Sequence, residues 1–174
     1  MKVWWMTIYL PSGSSYLELK HRKVIAQGWR RLGDLSSVAQ YFDDYWRNNR
    51  TQFEELLKLL ATPPNYPTTE PSLLNLYDLF NMEEGDLVIA VENDQNINTV
   101  KGICQIEESG WQSYCYDSPE AFSYAHTVGF PVMWVDWAEM NIAPPVTPTV
   151  IPGVQALESS QAIIDAWTVY TNNS

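Results

Sequence analysis

Histidine and cysteine are the side chains best suited to metal binding or nucleophilic chemistry, and this chain has few of either. The full set is His21, His126, Cys104 and Cys115, and their spacing matches no zinc-binding motif. The sequence also lacks the phosphate-binding loops GxxxxGKS/T and GxGxxG and the nucleophile elbow GxSxG. Catalysis needs a nucleophile or base with an orienting partner, and the sequence presents no such set. We therefore expect no enzyme activity, no metal and no cofactor.

The basic residues are concentrated in one stretch of an otherwise acidic chain. The formal net charge is −11, which by itself argues against nucleic-acid binding. Between Lys20 and Arg50, however, seven basic residues stand against three acidic ones, so this stretch carries +4 and the remainder −15. Such a segment is either a footprint for phosphates or a solvated surface that happens to be basic. The footprint interpretation predicts contacts to a nucleic-acid backbone from Lys20, Arg22, Lys23, Arg30 and Arg31.

Eight tryptophans and ten tyrosines are many for 174 residues, and such side chains build base-stacking pockets as well as cores. Trp29 is the first candidate for a pocket wall, because it follows Gly28 among basic residues and fits no helical apolar stripe. The competing interpretation is that Trp29 closes the core. Trp5 and Trp111 are second candidates; Trp4 and Trp5 are neighbours on a predicted strand and so face opposite sides of it. Further contacts to a base are predicted from Tyr116, Ser14 and Ser15.

The apolar pattern predicts one strand, then helices, then several strands. Residues 3–10 form a β-branched and aromatic run, and residues 16–25 alternate loosely as a second strand would. Asp34 as an N-cap, a T-x-x-E capping box from Thr51 and a cap at Ser72 predict three helices. Later strands are predicted over 87–91, 100–106, 111–116 and 132–137, with a final helix from Gln155. This order indicates an α+β fold with a small, strongly curved sheet or barrel.

Composition and hydropathy indicate the class of protein. No apolar run reaches the ~18 residues of a membrane span. The N-terminal stretch superficially resembles a signal peptide, but its apolar core is too short and it has no small-x-small cleavage site, so we expect it to be a first strand. Two cysteines are too few for a secreted disulfide scaffold. The apolar fraction of 45% allows a chain of this length a core that needs neither disulfides nor metal. We therefore expect a cytoplasmic protein that does not bind a membrane.

Three segments taken together resemble the EVE domain, a member of the PUA-like superfamily that also contains the YTH readers. The first, VIAQGWRRLGDL over 24–35, has an apolar residue, Gly-Trp and then Gly-Asp-Leu before a helix. The second, FNMEEGDLVIA over 80–90, places Gly-Asp before an apolar strand. The third, over 100–137, contains a Gly-bearing strand followed by Tyr-x-Tyr, Tyr-x-His and Val-x-Trp. The chain departs from the family in its acidity and after His126, where TVGFP stands in place of the basic residues common there.

The resemblance implies a PUA-like pseudobarrel of curved, mostly antiparallel strands with flanking helices over residues 1–142. A proline-rich arm over 143–153 and a C-terminal helix and tail over 154–174 follow it. In this superfamily an aromatic pocket takes a modified base flipped from DNA or turned out of RNA. In relatives fused to restriction GTPases, the domain is an N-terminal sensor of methylated DNA. The implied partner is therefore modified DNA, with an NTPase or nuclease module fused or associated.

Two other functions stay open at this point. One is a protein-interaction or targeting module whose acidic surface binds a basic partner. The other is a hydrolase, or a domain that binds a small ligand or RNA in the same pocket. Phosphate binding weakens steeply as salt rises, so salt dependence separates nucleic-acid binding from the first of these.

Overall fold

The structure, a computed structural model, describes residues 1–8, 15–28, 32–61, 74–94, 97–116, 126–128, 133–145, 154–157 and 160–174, with only the backbone of 15, 74 and 94. Within these residues the strands are β1 (Val3–Ile8), β2 (Ile25–Gln27), β3 (Leu87–Asp94), β4 (Ile97–Gln105), β5 (Cys115–Tyr116), β6 (His126–Val128), β7 (Met133–Asp136) and β8 (Val154–Ala156). The α-helices are α1 (Ser15–Arg22), α2 (Ser36–Gln40), α3 (Arg50–Leu60), α4 (Leu74–Phe80) and α5 (Gln161–Asn173). A π-helical turn, Phe42–Trp46, follows α2, and a 3-10 helix, Trp137–Met140, follows β7. Of the helices described, none combines the length and the apolar character needed to cross a membrane.

The described strands form two sheets rather than one closed barrel. The larger sheet has the order β7-β4-β3-β1-β8, and the smaller one has the order β2-β6-β5. β1 and β3 run parallel, with Val3 opposite Leu87, and the other described pairs are antiparallel. The α+β class is therefore confirmed, and the single small sheet or barrel expected from the sequence is divided in two.

The larger sheet is covered on both faces, and alternate residues of β1 enter two different cores. Trp4 packs in the first core, together with side chains of α1 to α4 and of the smaller sheet. Trp5 packs in the second core, with Ile163 and Trp167 of α5. The prediction that the two tryptophans face opposite sides is confirmed, and both are buried. Because β8 pairs with β1 and α5 packs on the same sheet, the C-terminal segment is part of this core structure.

Residues 16–25 form mainly a helix, and the expectation of a strand there is wrong. In α1, Tyr16 and Leu19 are buried on one side while Leu17 is 62% exposed. That spacing of three residues suits a helix, whereas a strand would turn Leu17 and Leu19 to the same face. Lys23, at φ +57°, ends the helix: its N–H and that of Val24 donate to the carbonyls of Lys20 and Leu19. The chain then enters β2.

Helix starts also differ from the expectations. Asp34 accepts the backbone N–H of Ser36 at 2.8 Å, but the N-cap residue of α2 is Leu35, one residue later than predicted. The capping box at Thr51 is wrong, because α3 already begins at Arg50 and has no side-chain cap. The final helix begins six residues after Gln155, since the strand pairing of β8 occupies that position. Ser72 lies outside the described residues.

Asp86 is a buried carboxylate that fastens the start of β1 to the turn before β3. It is 2% exposed and accepts hydrogen bonds from the N–H of Lys2 at 2.7 Å, from Nε1 of Trp4 at 2.9 Å and from the N–H of Glu83 at 3.1 Å. Gly85, at φ +87°, takes the turn conformation that other residues adopt only with strain. A buried carboxylate is tolerated only when donors satisfy it. The Gly-Asp pair before β3 is therefore both a turn and an anchor.

Asp78 in α4 forms a bidentate ion pair with Arg50, the first residue of α3. Its two oxygens each accept a hydrogen bond from the Arg50 guanidinium, at 3.1 Å. The guanidinium carbon also lies 5.3 Å from the ring centre of Tyr77. Burial raises the pKa of Asp78 to about 6, and Arg50 acts against that rise.

We expect Asp86→Asn to lower the free energy of unfolding by about 2–3 kcal/mol, because the amide NH2 would face an N–H donor where an oxygen now accepts. Urea unfolding followed by circular dichroism measures this change. Glu84→Gln, on the same turn but exposed, is the matched control and should stay within about 0.5 kcal/mol of wild type. An Asp86→Asn protein as stable as the control contradicts the role of anchor.

The raised pKa of Asp78 predicts how stability depends on pH. Between about pH 4 and pH 6 the folded protein keeps a proton on Asp78 that the unfolded chain, with a pKa of 3.8, releases. The free energy of unfolding of wild type, relative to Asp78→Asn, should therefore fall as pH rises through this interval, by at most about 3 kcal/mol. Urea titrations of both proteins at several pH values test it. A relative stability that rises with pH instead would mean that the ion pair with Arg50 outweighs burial.

Candidate functional site

A pocket with a volume of about 360 Å³ opens between α2 and the loop that precedes β5. Trp111 and Tyr114 give it aromatic surface, and its other lining residues are Ser36, Ala39, Gln40 and Gln112. Among the described lining residues, the phenol of Tyr114 is the one ionisable group. Aromatic faces combined with primary amides suit a flat, uncharged ligand whose edge can both donate and accept hydrogen bonds.

Trp111 is held in place through the backbone of the residue before it. The N–H of Gly110 donates to the carbonyl of Met82 at 2.9 Å. Gly110 also lies so close to the carbonyl of Leu79 that a Cβ atom would overlap it, so a larger residue does not fit there. Trp111 itself is half-buried against the first core. Its Nε1 atom is buried and has no hydrogen-bond partner among the described residues.

Tyr114 links the pocket to the smaller sheet. Its hydroxyl accepts the N–H of Leu35 at 3.1 Å and lies 2.7 Å from Nδ1 of His126, which is fully buried. The hydroxyl can donate its proton to Nδ1 while accepting from Leu35, an arrangement in which His126 is neutral and protonated on Nε2. The two rings are nearly parallel, with centres 5.9 Å apart. Burial raises the pKa of the Tyr114 phenol, so it stays protonated at physiological pH.

Both ends of the segment that carries the Gly-Trp and Arg-Arg motifs are tied to this Tyr114–His126 pair. Gln27, at the end of β2, is paired with His126 in β6. Leu35, just before α2, donates to Tyr114. The structure describes Gly28 and Leu32, while Trp29, Arg30 and Arg31 lie outside the described residues.

Trp5 does not belong to the pocket that Trp111 lines, which corrects one expectation. It is 1% exposed in the second core, and Trp111 contacts the first core on the other face of the larger sheet. Side chains alternate along β1, so Trp4 faces the first core, which Trp111 contacts, and Trp5 faces away from it.

The other residues predicted to contact a base are Tyr116, Ser15 and Ser14. Tyr116 is half-buried on β5 with its ring centre 5.5 Å from that of His126, but it does not line the pocket. Ser15 is the first residue of α1, and the description does not include its side chain. Ser14 lies outside the described residues. Of the predicted aromatic residues that the structure describes, Trp111 is the one that lines this pocket.

Two of the predicted phosphate contacts already have carboxylate partners. Lys20 Nζ lies 2.8 Å from Asp136, and Arg22 lies 3.7 Å from Glu18. Hydrogen bonds from Lys20 and then Tyr16 hold the pKa of Asp136 below its usual value. Lys23 is exposed and makes no ion pair with the part of the chain that the structure describes. Of these three cations, Lys23 is the one whose charge is most available to a phosphate.

No sequence pattern indicates the polar lining of the pocket. Gln40 stands near the end of a short helix and Gln112 in a loop, and isolated polar residues in such positions carry no pattern. The sequence does point to Tyr114, because it lies two residues before the predicted Tyr116 and a strand would turn both side chains to the same face. Within the described ranges, no three His, Cys, Asp or Glu residues come together as ligands for a metal ion.

Comparisons with protein-family models, curated proteins and solved structures found no match to this chain. The resemblance to EVE domains therefore stays a prediction, and it is based on the three sequence segments that carry it.

Proposed function

We propose that this chain binds DNA and reads a modified base by taking it, flipped out of the helix, into the pocket beside Trp111. The observation that carries the proposal is the composition of that pocket: its described lining includes an indole, a phenol and two primary amides, and the phenol accepts the N–H of Leu35. The sequence resemblance to EVE domains points to the same class of ligand. The domain acts as a sensor in a cytoplasmic restriction system, whose NTPase or nuclease module does the chemistry.

Stacking supplies the affinity that such a pocket needs. A base on an aromatic side chain gains about 1–3 kcal/mol, which is comparable with the few kcal/mol that flipping costs. The wall must therefore be fixed before the base arrives, and Trp111 is fixed by the contacts of Gly110 with Leu79 and Met82. Trp29 is the second wall in this proposal, because its chain segment is tied to the pocket at both ends.

The edge of the base is read by amides rather than by charge. The side chains of Gln40 and Gln112 each offer a carbonyl acceptor and an NH2 donor, and both residues are exposed at the pocket. An amide can form two hydrogen bonds to one base edge, which discriminates between bases by about 1–3 kcal/mol. The uncharged lining also avoids attracting the phosphate itself into the pocket.

In this proposal the phosphate contacts come from Lys23, Arg30 and Arg31. Lys23 is exposed and has no ion pair within the described residues, and Arg30 and Arg31 lie in the segment tied to Tyr114 and His126. Lys20 and Arg22 contribute less, because Asp136 and Glu18 already neutralise them. The phosphate footprint is therefore smaller than the seven basic residues suggest, and the acidic remainder keeps non-specific binding weak.

The finer fold assignment belongs to the same proposal: the two sheets are the two halves of a PUA-like pseudobarrel. The first core supports this, since Ile25 and Val128 of the smaller sheet pack there with Met6 and Val88 of the larger one. Nε1 of Trp134, in β7, also donates to the carbonyl of Val24, the residue before β2, at 2.9 Å. Both sheets therefore contribute side chains to one apolar core.

We expect Trp111→Ala to weaken binding to a duplex that carries one methylated base by about 5- to 150-fold, the loss of one stacking contact. Gln40→Ala should reduce the preference for the methylated duplex over the unmethylated one about tenfold. Fluorescence anisotropy with paired methylated and unmethylated DNA, and the same sequences as RNA, measures both. Trp46→Ala and Gln52→Ala, which lie away from the pocket, are the matched controls, and melting curves show that each variant folds.

The pocket assignment is contradicted if Trp111→Ala and Trp46→Ala bind methylated DNA equally well at full folding. Tighter binding to the RNA series would assign the pocket to RNA in place of DNA. Binding that never distinguishes methylated from unmethylated strands would remove the reading role altogether.

The double change Arg30→Ala, Arg31→Ala should weaken binding to every sequence alike and reduce the slope of log affinity against log salt by up to about two. Titrations at four salt concentrations measure the slope. The control replaces Lys58 and Lys101, which pair with Glu54 and Glu92, and should leave the slope unchanged. Equal slopes for wild type and the Arg30, Arg31 variant would mean that these two residues do not contact the DNA phosphates.

A further inference from the structure

A second concave surface lies on the other face of the larger sheet, between α5 and the 3-10 helix. This groove has a volume of about 480 Å³. Ala166, Val169 and Ile142 line its apolar part, and Val169 is 62% exposed. Glu139 and Tyr170 line its polar part, where the Tyr170 hydroxyl donates to Oε2 of Glu139 at 3.0 Å. The groove thus sets an apolar strip beside a carboxylate.

The charged side chains described on the elements of the groove are acidic. The sequence that carries those elements, residues 102–174, contains eight acidic residues and no Lys or Arg. On the groove's own elements the charged residues are Glu139 and Asp165, and Asp165 is one helical turn from Val169 on α5. The nearby cation, Lys20, is bound to Asp136 at 2.8 Å. Oε1 of Glu139 has no partner among the described residues and is exposed, so a cation from outside can reach it.

We infer that this groove binds a segment of a partner protein in which Arg or Lys alternates with apolar residues. An Arg side chain suits the groove because its aliphatic stem can lie along Val169 and Ala166 while its guanidinium meets Glu139. A second copy of this chain is disfavoured, since two bodies of charge −11 repel and neither groove offers a cation to the other. Nucleic acid is disfavoured at this groove, because the charged side chains on its elements, Glu139 and Asp165, would repel phosphates.

The groove is separate from the proposed base pocket. α5 packs in the second core, whereas Trp111 packs against the first, on the opposite face of the larger sheet. This inference therefore holds or fails independently of DNA binding. Together the two sites would let one domain hold a modified base and a basic partner at once.

The test is the binding of a fluorescein-labelled nonapeptide of alternating Arg and Leu, measured by anisotropy at 150 mM salt. We expect Glu139→Gln, which keeps a hydrogen-bond acceptor for Tyr170, to weaken binding about three- to tenfold. Val169→Lys fills the groove with a like charge and should weaken it at least tenfold. Glu107→Gln and Leu59→Lys make the same chemical changes at exposed positions elsewhere and should bind within about twofold of wild type.

Four results would overturn the inference. In the first, the control variants lose as much affinity as the groove variants, so that only overall charge matters. In the second, a nonapeptide with Glu in place of Arg binds equally well. In the third, sedimentation velocity finds a dimer that Val169→Lys dissociates and Leu59→Lys does not, making a second copy the occupant. In the fourth, the Arg-Leu peptide does not bind wild type at all. Methylated-DNA binding by Val169→Lys should equal that of wild type.

Discussion

The carboxylate of Asp86 is the constraint on which the rest of the structure depends. It gathers the N–H groups of Lys2 and Glu83 and the indole of Trp4 around one buried charge, so the start of β1 and the turn before β3 have one mutual position. The N–H of Gly85 on that turn donates to Ile106, and the carbonyl of Met82 accepts from Gly110. Trp111 follows directly. The proposed pocket wall is thus four covalent or hydrogen-bonded steps from the anchor, through Glu83, Met82 and Gly110.

The parallel pairing of β1 with β3 explains why the protein has two distinct faces. Both strands are interior to the larger sheet, and their side chains alternate between the first and second cores. One side of the sheet is closed by α1 to α4 and the smaller sheet, where aromatic and amide side chains surround an uncharged pocket. The other side is closed by α5 and the 3-10 helix, beside which the acidic groove lies. A single sheet therefore separates the proposed base pocket from the acidic groove.

Local patterns predicted the parts of this structure that local chemistry decides. The apolar run of β3, the two Gly-Asp turns and the opposite directions of Trp4 and Trp5 all follow from residue type and spacing. Gly33 and Gly85 both take the positive φ that such turns need. Alternation, however, does not say whether a face is covered, and α5 covers the face of Trp5 from more than 150 residues away. That non-local contact is why Trp5 looked like a pocket residue.

The conformation of residues 16–25 and the composition of the pocket depend on contacts between residues that are distant in sequence. Residues 16–25 alternate well enough for a strand, yet burial of Tyr16 beside Gly102 of β4 favours the helix that presents it. The phenol of Tyr16 also hydrogen-bonds Asp136 at 2.7 Å, a contact 120 residues apart in sequence. Gln40 and Gln112 meet at one pocket only because α2 and the loop before β5 are neighbours in space. No spacing in the sequence carries that information.

The indole N–H signals of the protein offer the most direct test of the central claim, that a modified base stacks beside Trp111. Each of the eight tryptophans gives one such signal in a ¹H–¹⁵N spectrum, and a Trp111→Phe sample assigns the one from Trp111. On titration with methylated duplex DNA, the account predicts that the Trp111 signal shifts strongly while those of Trp5 and Trp167, in the second core, stay in place. A Trp111 signal that does not move while the DNA is bound would contradict it.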